Sequence, residues 1–508
     1  MSQVARSAAL TEALHGEARH HLLRADKQED LCFAIWHPSQ GRSRTTALVQ
    51  RLILPRQGER RVHGNASFEP QYFERALAEA AAAGGGLALM HSHPHGCSWQ
   101  GMSEDDIAAE QGHAAATLGA TRFPFVGLTL AGDGAWSARF WERTAPRTYP
   151  VAWCGTVRIV GQRLSVSFFD ELAPPPVSTD EQVRTVSAWG ERAQADLARL
   201  KIGIVGAGSV GGIIGESLAR TGFEDVQVID FDHIEKHNLD RLQYATRADV
   251  GELKVPVLGQ HLNARATAAI FRYDPVVAAV FENEGYRAAL DCDVLFSCVD
   301  RPWGRHVLNL IAYAHLIPVI DGGIAVRTNR LGKLVAADWR AHTATIGRPC
   351  LCCLGQYDTG HVQVERDGYL DDPEYIKGLP KDHPLKTRQN VYAFSQSCAS
   401  LQMLQMLALT LAPLDQPNPG SQLYHFVGSF MEPPSFGTCH DACLFPQLVA
   451  QGDGCAFKVT GQRPSKQHDK SEKGANEKER SPTDQHFSRL RSGVGQRIAY
   501  FLSRLKWW

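Results

Sequence analysis

The sequence predicts an α/β protein with two folded units joined by a linker. Apolar segments of strand length alternate with helical segments along most of its 508 residues, and this alternation is typical of α/β domains. Three consecutive prolines in ELAPPPVSTD, residues 171–180, block both helices and central strands. We therefore predict a first unit at 1–150, a hairpin and proline-rich linker at 151–180, a second unit with a mainly parallel sheet at 181–457, and a polar tail at 458–508.

Composition and charge narrow the class of protein. The 53 Lys and Arg residues nearly balance the 54 Asp and Glu residues, so the chain has no overall field that would attract nucleic acid. We find neither a secretory signal nor an apolar segment long enough to span a membrane, and expect a cytoplasmic protein. Its 12 cysteines then predict thiols or metal ligands rather than disulfides.

The elements of the first unit follow from the residue pattern. Residues 1–25 have a loosely helical pattern. Beyond them, the sequence predicts a helix over 70–83, closed by three glycines, and another helix after Ser103. The predicted strands are LCFAIW, TTALVQRLILP, LALMHSH and FPFVGLTL.

Metal-binding residue types are concentrated where the strand LALMHSH ends. His91 and His93 lie two residues apart on an extended segment, so their side chains point to the same side. Asp106, at the start of the next helix, supplies the third ligand that a catalytic zinc ion needs. Glu29, just before the strand LCFAIW, is the predicted general base. Ser103 is predicted to hydrogen-bond the developing oxyanion.

This arrangement resembles the JAMM motif of the JAB/MPN metalloproteases. The matching residues are Glu29, His91-Ser-His93-Pro and Ser103-x-x-Asp106. The resemblance covers residues 1–145 and implies an α/β metalloprotease that cleaves isopeptide bonds to ubiquitin-like proteins.

The spacing departs from the family pattern at one place. Nine residues separate His93 from Ser103, two more than the family pattern, and the longer loop contains His95. Asp105 is an alternative to Asp106 as a metal ligand, and Asp30 is an alternative to Glu29 as the general base. A purely structural pair of histidines, with acids that only cap a helix, is the competing interpretation.

A glycine-rich turn opens the second unit. The strand KIGIVG leads into Gly206-Ala-Gly208-Ser-Val-Gly211 and then into a predicted helix. Glycines at this place let the backbone approach a phosphate at the helix N-terminus. The next predicted strand ends at Asp230. This much fits any dinucleotide-binding domain.

Polar side chains further along favour a nucleotide triphosphate. Asn238, Arg241 and Lys254 form a cationic set that a hydride-transferring enzyme does not need. Asp300, at the end of a later strand, offers the oxygen ligand that Mg²⁺ prefers. The segments GAGSVG, DFDHIEKHNLDRLQ and CVD, together with Lys254, resemble the Rossmann-like ThiF/MoeB superfamily, which includes ubiquitin-activating enzymes.

The ThiF/MoeB resemblance implies a role for each of these residues. It implies that Asp230 binds the ribose and that Asp300 holds magnesium. The phosphates would be bound by Asn238, Arg241 and Lys254. Arg184, upstream of the glycine loop, would reach the nucleotide of a partner subunit, so a homodimer is expected. The implied reaction is attack of a protein C-terminal carboxylate on the α-phosphate of ATP, which releases pyrophosphate.

Two cysteine pairs with short spacing predict a structural zinc site, which is also typical of ThiF/MoeB relatives. The predicted ligands are Cys350, Cys353, Cys439 and Cys443. Unmetallated buried thiols are the alternative. Cys352 and Cys398 are candidates for a thioester, although neither lies in an obviously reactive context.

Together, the two resemblances predict a bifunctional enzyme of a bacterial ubiquitin-like modifier system, using ATP, Mg²⁺ and two kinds of zinc site. It would activate the modifier and trim or remove it. A sulfur-carrier protein is an alternative substrate, and a scaffold with one degenerate domain is a further alternative. The expected partners are the modifier or carrier, a second copy of the chain and, if a thioester forms, a conjugating enzyme. The tail predicts disorder over 458–483 and then a loosely docked basic helix rather than membrane contact.

Overall fold

A computed structural model describes residues 4–63, 65–378, 389–433 and 437–463. The predicted disorder and terminal helix fall almost entirely on residues 464–508, which lie outside the described residues. The α/β class is observed in the rest, as two large sheets with helices packed on them. Within the described ranges, no helix is long and apolar enough to cross a membrane.

The N-terminal half is built on a nine-stranded sheet. Its elements are β1 (Ala5–Thr11), α1 (Glu12–Leu22), β2 (Leu31–Gln40), β3 (Arg44–Ile53), β4 (Arg60–His63), β5 (Asn65–Phe68), α2 (Pro70–Ala82), β6 (Gly86–His93), α3 (Glu104–Thr121), β7 (Phe125–Ala131), β8 (Trp136–Trp141), β9 (Val151–Trp153), β10 (Thr156–Val160) and β11 (Leu164–Phe168). The strand order is β11-β10-β1-β3-β2-β6-β7-β8-β9, and β4 and β5 form a separate hairpin.

Helices cover both faces of this sheet. Leu14 and Leu22 of α1 pack into the core on one face, while Tyr72 of α2 and Ala114 of α3 pack into the core on the other. Strand β6 is therefore buried on both sides until its last residue, His93. A strand buried on both faces reads as a continuous apolar run, and GLALM has that pattern.

Two segments differ from the sequence-based expectation. Residues 5–11 form β1 instead of a helix, because β1 lies between β3 and β10 and pairs in parallel with both; tertiary pairing here overrides local propensity. The hairpin predicted together with the linker forms β10 and β11 and extends the first sheet. Residues 169–179 are left without helix or strand.

The C-terminal half is built on an eight-stranded sheet. Its elements are α4 (Val183–Trp189), α5 (Glu191–Ala198), β12 (Lys201–Val205), α6 (Ser209–Thr221), β13 (Asp225–Ile229), α7 (Lys254–Asn263), β14 (Arg272–Val276), α8 (Asn283–Ala289), β15 (Val294–Ser297), α9 (Pro302–Ala314), β16 (Val319–Thr328), β17 (Leu334–Ala344), α10 (Thr359–Arg366), α11 (Pro373–Gly378), α12 (Tyr392–Leu411), β18 (Gln422–His425) and β19 (Phe430–Met431). The order is β14-β13-β12-β15-β16-β17-β18-β19.

The first five strands of this order run parallel. Their carboxyl ends therefore meet at one edge, where ligands bind in open α/β sheets.

Buried charges connect the two halves. Asp293, which precedes β15, accepts hydrogen bonds from the guanidinium groups of Arg44 (2.5 Å) and Arg158 (2.6 Å) of the first sheet. Asp291 accepts the backbone N–H groups of Ser43 and Arg44, each at 3.0 Å. Residues up to 463 accordingly form one compact unit.

Candidate metal centres and nucleotide site

The end of β6 and the start of α3 bring three metal-binding side chains together. The ligand atoms of His91, His93 and Asp106 all lie within 4.8 Å of one another. Nε2 of His91 is 3.5 Å from Oδ1 of Asp106, and Nε2 of His93 is 3.6 Å from Oδ2. Two imidazoles and one carboxylate, with room for a water molecule, are a donor set typical of catalytic zinc.

Asp106 is held in place by the helix that it begins. The Ser103 N–H donates to Oδ2 of Asp106 (2.9 Å), and the Asp106 N–H donates to Oγ of Ser103 (3.1 Å). This is a reciprocal capping box. Burial opposes ionisation of Asp106, but the hydrogen bond to His93, the charge of His91 and the bonds to Ser103 outweigh it and hold its pKa well below the usual range.

Glu29 faces this cluster from the start of β2. Its side chain is half-buried and lines a cavity of about 390 Å³ together with His91 and Asp106. Burial raises its pKa, an effect that the charge of His93 opposes. Asp30 instead points inward, where its carboxylate lies 2.7 Å from Arg60. Geometry therefore favours Glu29 over Asp30 as the base.

The glycine loop lies between β12 and α6 at the carboxyl edge of the second sheet. Gly206 has a φ of +102°, and a Cβ there would meet the Cys298 carbonyl oxygen at 2.6 Å. A Cβ on Gly211 would meet the Gly206 carbonyl oxygen at 1.9 Å, whereas Gly208 faces open space. The loop is thus packed on its inner side and open at the start of α6, where helix N–H groups attract phosphate.

Asp230 and Lys254 meet beside this loop. Asp230 accepts the N–H groups of Ala207 (2.6 Å) and Asp232 (2.7 Å). Nζ of Lys254 is 2.7 Å from Oδ2 of Asp232. Burial opposes the charge of Lys254, but the carboxylates of Asp230, Asp232 and Asp300 outweigh it and raise its pKa. The ammonium group is therefore charged and lies among three carboxylates.

The remaining predicted nucleotide residues are partly or fully exposed. Asn238 closes a short 3-10 turn by accepting the Glu235 N–H at 3.1 Å. Arg241 donates to the His237 carbonyl oxygen at 2.8 Å. Asp300 is exposed just beyond β15, and Arg184 is exposed on α4.

Four cysteines form a second metal-binding cluster. Atoms Sγ of Cys350, Cys353, Cys439 and Cys443 lie within 4.8 Å of one another. The Cys353 N–H donates to Sγ of Cys350 (3.3 Å), and the Cys350 N–H donates to Sγ of Cys439 (3.1 Å). The hydrogen bond with Cys439 and the Cys353 N–H lower the pKa of Cys350 to about 5. Four thiols with one already acidified fit a structural zinc ion.

The two thioester candidates lack a reactive environment. Cys398 is buried on α12, and burial raises its pKa to about 12. Burial also raises the pKa of Cys352. Nucleophilic cysteines need the opposite shift.

Comparison with known proteins bears on the C-terminal half. The sequence model of the ThiF family matches residues 179–432, half of the chain. The chain belongs to the ThiF family. The matched range, called the ThiF half below, contains the glycine loop and its surrounding polar residues, and the histidine cluster lies outside it.

Similarity of this ThiF-family chain to single proteins is partial. Saccharomyces cerevisiae tRNA threonylcarbamoyladenosine dehydratase 2 is 33% identical over 139 residues, 27% of this chain and 31% of that protein. Escherichia coli molybdopterin-synthase adenylyltransferase is 28% identical over 169 residues, 32% of this chain and 61% of that protein. The chain thus spans less than two thirds of either relative.

A solved structure of E. coli MccB with ATP aligns over 53% of this chain and 74% of that chain, at 16% identity and a TM-score of 0.39. A likeness this low supports no inference about the site.

Several residues that orient the histidine cluster were not predicted from the sequence. Oε1 of Gln100 lies 3.4 Å from Nδ1 of His93. It can accept that N–H and leave Nε2 for a metal. Ser92 donates to the Leu22 carbonyl oxygen (2.7 Å) and accepts the Asp30 N–H (3.1 Å). The residue between the two histidines thus anchors β6 beside Asp30 and the neighbouring Glu29.

A buried ion pair is linked to His91 through the hydroxyl group of Thr129. Arg139 pairs with Glu110, both fully buried, and donates to Oγ1 of Thr129 at 2.6 Å. The same hydroxyl lies 3.3 Å from Nε2 of His91. Burial, with the charge of Arg139, lowers the pKa of His91 to about 3. Glu110 lies four residues after Asp106, on the same helix face, and that spacing is the sequence signal that was missed.

Proposed function

We propose that the ThiF half adenylates the C-terminal carboxylate of a ubiquitin-like or sulfur-carrier protein. The observation that carries this proposal is the open glycine loop at the start of α6, with Asp230 bonded to it and Lys254 beside it. The substrate carboxylate attacks the α-phosphorus of ATP, the bond to the β-phosphate breaks, and acyl-adenylate and pyrophosphate form. The names of the relatives support the class, since one is an adenylyltransferase and another is a SUMO-activating enzyme subunit.

The protein's part in this reaction is positioning and charge neutralisation. Asp230 would bind the ribose, Asn238, Arg241 and Lys254 the phosphates, and Asp300 a magnesium ion, which would shield the leaving pyrophosphate. Arg184 would reach the nucleotide of a second copy in a homodimer.

Pyrophosphate exchange into ATP tests adenylation directly. We expect exchange only in the presence of a carrier protein with an intact C-terminus. Lys254→Ala and Asp300→Ala should abolish it, whereas Lys27→Ala, at an exposed lysine of the N-terminal half, should not. Exchange that needs no carrier, or that survives Asp300→Ala, would contradict the proposal. If the sites are shared across a dimer, mixing Arg184→Ala with Asp300→Ala should restore part of the activity.

We also propose that the N-terminal half is a zinc peptidase that processes or removes the same carrier. The observation that carries it is the convergence of His91, His93 and Asp106 within 4.8 Å, beside Glu29. A bound zinc ion would acidify a water molecule. Glu29 would take the proton of that water and pass it to the leaving nitrogen. Because Oγ of Ser103 accepts a helix N–H, its own proton is left to donate to the substrate carbonyl oxygen.

Metal content and cleavage test the peptidase together. Mass spectrometry should find zinc at both clusters, hence two ions per chain, and one in the His91→Ala, His93→Ala double variant. Glu29→Gln should keep both ions and lose cleavage of a carrier fusion. A wild-type chain with zinc only at the cysteine cluster would instead make the N-terminal half a binding module.

A further inference from the structure

A cavity opens directly beside the histidine cluster. It has a volume of about 390 Å³, and its metal-facing end is formed by Glu29, His91 and Asp106. Its other walls come from the β4–β5 hairpin, the start of α2 and the first half of α3, and include Ala66, Phe68, Phe73, Ala109 and His113. This size is in the usual range of sites that bind a small ligand or a large side chain.

The walls away from the metal ligands are mostly apolar and aromatic, although Ser67 and the exposed Glu74 also line the cavity. The His113 ring lies 4.2 Å from that of Phe73 and 5.4 Å from that of Phe68. Burial lowers the pKa of His113, which favours the neutral ring. Glu110 also lines the cavity, but Arg139 pairs with it. Such a surface favours an uncharged apolar occupant.

The cavity is continuous with the place where a bond would be cleaved. On the proposed peptidase function, Glu29 must reach both the attacking water and the leaving nitrogen. A group that enters the cavity past Glu29 therefore belongs to a residue next to the scissile bond. A glycine there would leave the aromatic wall in contact with water, whereas a large apolar side chain would cover it.

We propose that this cavity is a specificity pocket for a large aromatic or branched aliphatic side chain, carried by one of the two residues that flank the scissile bond. The proposal rests on the peptidase function of the same site. It assigns the proposed peptidase a class of substrate with a large apolar residue next to the cleaved bond.

The test uses the full chain loaded with zinc and internally quenched octapeptides. One series carries Phe, Leu, Ala or Gly on the carboxyl-donating side of the scissile bond, and a second series carries them on the leaving side. In one of the series, kcat/KM for Phe or Leu should exceed that for Gly by about tenfold or more. Ala109→Phe, which fills the cavity, should remove the preference. Ala108→Phe, on the same helix but outside the cavity lining, should keep it.

Binding of the same peptides to the zinc-loaded Glu29→Gln chain, followed by fluorescence anisotropy, separates the two proposals. Cleavage without a preference would overturn the pocket and leave the peptidase intact. So would an equal loss of the preference in Ala109→Phe and Ala108→Phe. Selective binding without any cleavage by the wild-type chain would support the pocket and overturn the peptidase. Neither binding nor cleavage would overturn both.

Discussion

The imidazole of His93 is oriented by a residue of the loop that connects β6 and α3. Gln100 lies in this loop, with Oε1 3.4 Å from Nδ1 of His93 and its amide nitrogen 2.8 Å from the Cys97 carbonyl oxygen. The neighbouring Trp99 stacks on Phe169 with ring centroids 5.1 Å apart. The loop is therefore anchored, and it places a hydrogen-bond acceptor behind His93, a proposed metal ligand.

Gln100→Ala should accordingly weaken zinc binding at the histidine cluster. Loss of a hydrogen bond that orients a ligand lowers metal affinity by about tenfold to a hundredfold. Competition with a chelator measures the change. The cysteine cluster of the same chain is the internal control and should release zinc as in the wild type. Equal affinity at the histidine cluster in both proteins would show that the amide does not orient His93.

Glu365 makes stability depend on pH. It is almost fully buried and accepts the Trp303 N–H at 2.8 Å. Burial raises its pKa from 4.5 to about 7. The folded state therefore holds a proton that the unfolded state has lost between these values. The stabilisation is complete below pH 4.5 and lost as the pH rises to 7.

Glu365→Gln should remove this dependence. The shift corresponds to about 3 kcal/mol, so the variant should gain stability over the wild type at pH 8 and change little at pH 4.5. Urea unfolding at the two pH values measures it. Glu284→Gln, an exposed residue of α8, should show no such difference, and parallel curves for Glu365→Gln and wild type would refute the assignment.

At the residue scale, motif spacing identified the side chains that meet at the histidine cluster. It could not identify Gln100, Thr129 or Arg139, because their role depends on contacts made only after the chain has folded. The choice between Glu29 and Asp30 also needed the structure. Their alternation on an extended segment shows that they face opposite ways, but not which one faces the cluster.

Two glycines of the loop, Gly206 and Gly208, lack a side chain for different structural reasons. Gly206 needs its φ of +102° and its close contact with the Cys298 backbone. Gly208 has an ordinary φ of −72° and open space around it. A methyl group at Gly206 therefore disturbs the fold, and one at Gly208 obstructs only an approaching phosphate.

Paired alanine variants should separate these effects. Gly206→Ala should destabilise the chain by about 1–3 kcal/mol. Gly208→Ala should leave stability within about 0.5 kcal/mol of wild type and weaken ATP binding at least about tenfold, or 1.4 kcal/mol. Thermal unfolding and ATP titration measure both. Unchanged ATP affinity in Gly208→Ala would mean that phosphate does not approach this side of the loop.

At the element scale, long periodic segments were predictable and short ones were not. The helix predicted over 70–83 is α2, and the strand LALMHSH is most of β6. The segment before β12 forms two short helices, α4 and α5, because Gly190, with a φ of 88°, ends α4. Its positive φ cannot be deduced from a helical pattern that tolerates single glycines.

At the scale of the whole molecule, the contact between the two halves depends on a buried cluster of charged side chains. Asp293 forms ion pairs with Arg44 and Arg158, whose side chains are almost fully buried. Asp293→Ala should cost about 3–5 kcal/mol, because it leaves two buried cations without a counter-charge. Calorimetry should show one transition in the wild type and two in the variant. Asp170→Ala, which removes a mostly exposed carboxylate that pairs with Arg199, should change stability by less than about 1 kcal/mol.

At the scale of the molecule, the sequence predicted two α/β units, and two sheets are present. The proline segment predicted a linker, and residues 169–179 have neither helix nor strand. Buried charge pairs between the two sheets were not predicted. Arg44 and Asp293 are far apart in the sequence, and no local pattern relates them. Buried pairing at such separation is visible only in the folded chain.

That separation has a consequence for how the chain is made. A ribosome adds roughly 5–20 residues per second, so Arg44 and Arg158 emerge well before Asp293 is synthesised. During that interval the nascent first sheet exposes two arginines and the apolar residues Ala9 and Leu48, which later share a core with the ThiF half. We therefore expect the nascent N-terminal half to bind chaperones until the ThiF half has been synthesised. A gene truncated before codon 293 should yield a product that aggregates rather than a folded N-terminal half with the proposed peptidase activity.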